Sequence, residues 1–187
     1  MRKRILLPAV FGFLVLVAWT FVVNGVLRFN ASLTMISPPD EAVVYEMLKE
    51  RIVEGGVYVA NPEVEPGVGF PWGEPVFTIM YSGFGHEAAG RMQWVHLAVG
   101  ILSMIVAATL LSLAGPRVQA RYAYRALYVL GLGVLLALVC DVPGMGIGGQ
   151  PERTALLFAA NRVAVWTLIG LAMAGVTGVR TPEPTPG

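Results

Sequence analysis

His86-Glu87-Ala88-Ala89-Gly90 begins like the zinc-protease pattern H-E-x-x-H. In that pattern two histidines one helical turn apart hold the metal, and the glutamate acts as base. Gly90 stands where the second histidine must be, so that mechanism fails. His86 and His96 are the only histidines, and with Glu87 they would make a minimal metal set. The simpler assignment is preferred: one histidine in a loop and one at a membrane interface, with no metal and no cofactor. Cys140 is the single cysteine, which excludes an intramolecular disulfide and a C-x-x-C redox pair. The eight methionines are scattered, whereas a soft-metal site needs them clustered, so they read as packing. Gly144-Met145-Gly146-Ile147-Gly148-Gly149 does not fit the dinucleotide pattern G-x-G-x-x-G and follows an apolar run that is no strand.

What remains is a set of polar groups inside or beside apolar runs: Asn24, His96, Asp141, Asn161 and Arg162. Their spacing places all five at one depth near the outer interface. Between Arg162 and Arg180 lie 17 residues, about 26 Å of helix, which sets Arg162 at that interface or up to a turn inside it. Charged groups at such depth pair or face a wet cavity, and Asp141 is the natural partner of Arg162. Such a pair commonly just fixes the packing of two helices. A functional polar pocket, or five independent exposed positions, are the alternatives.

The elements that must position these groups follow from composition. The 187 residues are 56% hydrophobic and 13% charged, with a mean hydropathy of +0.67. Soluble domains carry about 25% charged residues, so this is membrane composition. Runs at 5–26, 94–114 and 122–142, and a fourth ending at Val179, each supply the roughly 20 apolar residues that cross a bilayer as helix. Pro8 is expected in the first turns of its helix, where a missing N–H is tolerated. The first run is too long for a secretory signal and has no convincing cleavage site, which makes it an uncleaved anchor. Arg2, Lys3 and Arg4, then Arg117, Arg121 and Arg125, then Arg180 all fall on one side. The opposite side holds residues 27–93, with nine acidic residues against four basic. The positive-inside rule puts both termini in the cytoplasm.

The expected fold is therefore an all-α membrane protein. It is a four-helix transmembrane bundle with a small extracytoplasmic α+β loop region. Its parts are an anchor helix at 1–26, the loop region at 27–93, three further membrane helices within 94–179 and a disordered cytoplasmic tail at 180–187. Within the loop, Pro38-Pro39-Asp40-Glu41 is a helix-start signal, and Val44, Met47, Leu48 and Ile52 repeat at helical spacing. This predicts an amphipathic helix over 40–53 that buries those four side chains. Gly56-Val57-Tyr58-Val59-Ala60 and the run at 76–81 are β-prone and suited to pair as a hairpin. The proline- and glycine-rich stretch between them reads as extended loop. Tyr58, Phe70, Trp72, Tyr81 and Phe84 would make either an aromatic binding surface or, preferably, a headgroup belt. Gly170, Ala174 and Gly178 form a small-residue ridge that seats another helix, internal or from a second copy.

A basic start with one anchor, an acidic helix leading to Gly56-Val57-Tyr58 and Asn61-Pro62, and an aromatic run at 77–81 occur in that order. This resembles a group of small bacterial inner-membrane proteins that share an anchor followed by a Gly-x-Tyr-x-x-x-Pro-like segment. The resemblance covers roughly the first 115 residues and implies a multi-pass bacterial inner-membrane protein without supplying an activity. The net charge of +1 gives no reason to expect nucleic acid. The bilayer, a membrane or periplasmic protein, and a second copy of the chain are the expected partners. The favoured function is a non-enzymatic accessory or interaction protein. Two others compete with it: a small membrane enzyme or redox-associated protein binding a quinone or lipid through His96, Asp141 and Arg162, and an oligomeric transporter.

Overall fold

The computed structural model describes residues 2–61, 75–81, 83, 85–145 and 149–177. Long, predominantly apolar runs close their backbone bonds internally, and each becomes a helix. These are α1 (Arg2–Thr20), extended by a π turn at Phe21–Val26, then α4 (Gly85–Leu113), α6 (Tyr122–Leu136), extended by a π turn at Ala137–Asp141, and α7 (Glu152–Val176). Between them lie α2 (Phe29–Thr34), α3 (Glu41–Arg51), β1 (Gly56–Ala60), β2 (Phe77–Tyr81) and α5 (Pro116–Ala120). Four helical spans are long and apolar enough to cross a membrane: Arg4–Val26, Met92–Leu113, Tyr122–Gly144 and Glu152–Val176.

Several boundaries differ from the expectation. Helix α4 begins at Gly85, ahead of the predicted residue 94, because a helix already nucleated extends through Ala88 and Ala89 at little cost. Helix α1 starts at Arg2, so Pro8 is in its second turn, within the first turns as expected, and supplies no N–H to the Arg4 carbonyl. The second connection is not a plain loop. Gly115 and Pro116 start α5, with proline at the first position, where its missing N–H costs nothing. The Gln119 side-chain amide donates to the carbonyl of Leu111 in the last turn of α4, which also accepts from the Ala114 N–H at 3.2 Å. Arg125, one of the three arginines around that connection, is buried and donates from Nη1 to the Gln119 carbonyl at 2.7 Å.

The strands pair antiparallel in the register Gly56↔Tyr81, Tyr58↔Ile79 and Ala60↔Phe77, as the two β-prone runs suggest. Alternation puts Val57, Val59, Thr78 and Met80 on one face and Tyr58, Ile79 and Tyr81 on the other. On the second face Tyr58, Ile79 and Tyr81 are half-buried and only Phe77, at its end, is exposed among the large side chains, whereas Val57 and Met80 on the first are 67% and 71% exposed. The expectation for the loop helix needs correction. Helix α3 is shorter than 40–53 and has no buried residue: Val44, Leu48 and Ile52 are half-buried and Met47 is exposed. With Glu46, Lys49, Glu50 and Arg51 interleaved, its apolar stripe is too narrow to demand full cover.

The four long helices alternate in direction around one core. Met104, Leu111, Val129, Ile169 and Met173 are its fully buried side chains, with Ala9, Ala107 and Ala108 between them. All lie in the half of the bundle nearer the α1 start and α5, hereafter the arginine end. Glycine makes the closest contact between α6 and α7. A Cβ on Gly170 would stand 2.8 Å from the Ala126 carbonyl oxygen, and one on Gly133 would overlap the Trp166 side chain. The expected ridge is thus a seam onto α6 for Gly170, while Gly178 lies outside the described residues. Helices α4 and α6 meet only sparsely, leaving a groove between them floored by Trp166.

Candidate functional site

The opposite half, toward the hairpin, adds polar contacts to a smaller apolar core of Val23, Ala137 and Ala155. Asp141 closes the π turn that ends α6. Arg162 lies well inside α7, which starts at Glu152, so it sits below several turns of its own helix. The guanidinium meets the carboxylate in a two-point fork: Nε donates to Oδ2 at 2.5 Å and Nη2 to Oδ1 at 2.8 Å. Both oxygens of the carboxylate are engaged, a geometry that arginine's planar donors allow and lysine's cannot. The Asp141 side chain is 10% exposed and that of Arg162 37%, so the acid is the desolvated partner.

Asn161, the preceding residue, faces another helix. Its Oδ1 accepts a hydrogen bond from Trp19 Nε1 at 2.9 Å, tying α1 to α7. Phe158, one turn before Arg162, meets Phe29 of α2 edge to face, with ring centroids 5.8 Å apart. Helix α7 therefore carries three consecutive contacts that fasten α2, α1 and α6 to it at this end.

The set Asn24, His96, Asp141, Asn161 and Arg162 does not form one cluster. The structure joins Asp141 to Arg162 and separately joins Asn161 to Trp19. Asn24 is exposed in the π turn after α1, and His96 is exposed on α4. Among the described residues neither has a hydrogen bond or ion pair to the other three. Sequence reasoning missed Trp19, which resembles any interfacial tryptophan. The available signal was Asn161 itself, since an amide inside an apolar run needs a partner.

Among the described residues no group of His, Cys, Asp and Glu side chains is suited to hold a metal ion. The side chains of His86 and Glu87 lie outside the described residues, as do Phe70, Trp72, Phe84 and the glycines at 146 and 148. Cys140, beside Asp141, is exposed. With both carboxylate oxygens held by arginine, Asp141 is poorly disposed to act as a base. The arrangement is suited to fix helices. No protein-family model, curated protein or solved structure matches the chain, so the likeness to a bacterial inner-membrane group rests on its residues alone.

Proposed function

We propose that the chain spans a bacterial inner membrane four times, arginine end in the cytoplasm. In this reading it serves as a non-enzymatic accessory protein whose hairpin region docks a membrane or periplasmic protein. The observation that carries the docking role is the apolar sheet face: Val57, Val59 and Met80 are exposed side by side on an otherwise acidic region. A two-stranded sheet is marginal in water by itself, and an open apolar face on it favours a partner. The four apolar spans and the arginine asymmetry support the orientation.

The accessory role is tested by replacing Val59 with Asp and, separately, Met80 with Lys in the full-length chain. Both sites are exposed, so thermal stability in detergent is expected to stay within about 0.5 kcal/mol. Co-purification of a stoichiometric partner with the unaltered chain, lost in both variants, is the expected result. Retention of the same partner by both variants excludes this face as the docking surface.

The transporter reading is disfavoured by how the helical hydroxyls are used. Thr109, Ser112, Thr167 and Thr177 each donate back to a carbonyl of their own helix, so they do not line a polar path. Binding of a quinone or lipid through His96, Asp141 and Arg162 is disfavoured by the exposed position of His96 on α4.

A further inference from the structure

The groove between α4 and α6 has a volume of about 330 Å³, at the lower end of the range for small-molecule pockets. Leu102, Ser103 and Val106 form one wall, Leu135 and Leu136 the other, and Trp166 lies beneath. Among all its lining side chains the only polar groups are the Ser103 hydroxyl and the Trp166 indole N–H. Ser103 differs from Thr109, Ser112, Thr167 and Thr177, because among the described residues its hydroxyl has no hydrogen bond to its own helix. Trp166 is 8% exposed, and its N–H has no partner among the described residues, whereas the Trp19 N–H is satisfied by Asn161. Two unused donors therefore border one apolar groove.

Their depth selects the ligand. Ser103 falls at the middle of the span Met92–Leu113, and Trp166 past the middle of Glu152–Val176. Taking the chain as membrane-spanning, both lie where a phospholipid offers only hydrocarbon, since its ester carbonyls stay at the interface. A donor left without an acceptor in such a medium is strongly disfavoured. An isoprenoid quinone meets both requirements, with a flat apolar ring that fits the leucine walls and ring carbonyls that accept hydrogen bonds at this depth. We propose that the groove seats the ring of an isoprenoid quinone, its carbonyl oxygen accepting from Trp166 Nε1 and Ser103 Oγ. The chain binds it without turnover, and no proton or electron transfer is assigned to the site.

The test uses the full-length protein in phosphatidylcholine nanodiscs, titrated with a tritiated short-tailed benzoquinone against protein-free discs. Saturable binding of one quinone per chain is expected. Trp166→Phe keeps the ring and removes the donor, Ser103→Ala removes the hydroxyl, and each is expected to weaken binding about tenfold. Leu135→Trp, or Leu102→Trp on the opposite rim should the first variant not fold, is expected to abolish it. Uptake equal to that of protein-free discs overturns the proposal. So do donor variants that bind within about twofold of the unaltered chain, or a plain alkane that competes as well as unlabelled quinone, which would make this a hydrocarbon groove. A dimer in which the groove is covered and quinone excluded also overturns it. The membrane-spanning premise fails separately, if the chain is released from membranes by alkaline carbonate.

Discussion

Asn161 and Arg162 are neighbours on one helix and grip two different helices. Asn161 accepts from Trp19 on α1, and Arg162 forks onto Asp141 at the end of α6. Successive helical residues point about 100° apart, which is what lets one turn reach two neighbours.

The Asp141–Arg162 pair is expected to be strongly coupled. Asp141→Asn and Arg162→Gln should each lower thermal stability in detergent, and the double variant should lose less than the sum. The coupling is expected to be about 1–3 kcal/mol, because a lone charge keeps its desolvation penalty once its partner is gone. Additive losses would show that the fork contributes nothing.

Orientation is checked by thiol labelling in a Cys140→Ser background. A cysteine at Glu50, exposed on α3, should react with an impermeant reagent applied to intact cells from the periplasmic side, and one at Arg117, exposed on α5, should not. Reaction at Arg117 would reverse the orientation. Gln119 is unsuitable as the inner reporter, because it is buried against the end of α4.

The α6–α7 seam predicts a steep response to bulk. Gly170→Leu places a side chain against the Ala126 backbone, which cannot yield as a flexible side chain would, and should cost about 1–3 kcal/mol in thermal unfolding. Gly131→Leu, on the same helix as Gly133 but with open space around its Cβ position, should cost less than about 1 kcal/mol. Equal effects at both sites would remove the close approach as the cause.

Helix α3 should tolerate polar substitution on its exposed side. Met47→Asp is expected to leave protease resistance of the hairpin region unchanged, while Leu48→Asp, at a half-buried position, should raise its cleavage rate. Identical behaviour would mean that neither face of the helix is covered.

The spans were legible because hydrophobic length and charge asymmetry are properties of the chain itself. The contact between Asp141 and Arg162 was legible because two charges in adjacent apolar runs have few ways to be satisfied. Whether His96 would join that pair or stay an exposed interfacial side chain, as it does, was not legible, since about 100° of rotation per residue separates a bundle-facing side chain from an outward-facing one. Burial of Arg125 and Gln119 was hidden for a different reason. It depends on α5 folding under the end of α4, a tertiary arrangement that no periodicity encodes. The groove was illegible for the same reason, because it exists by virtue of two helices failing to meet.

The uneven distribution of the core has a mechanical consequence. The larger buried side chains fill the arginine end, whereas the hairpin end buries only Val23, Ala137 and Ala155 among its apolar groups and is fastened besides by the Trp19–Asn161 bond, the Asp141–Arg162 fork and the Phe29–Phe158 contact. In a bilayer, a change in thickness or lateral pressure would be absorbed unequally. The arginine half would move as a rigid block, and the strain would fall on three removable fasteners in the other leaflet. Lipid composition would then be felt first at these fasteners, with the packed half acting as the fixed jaw of a clamp.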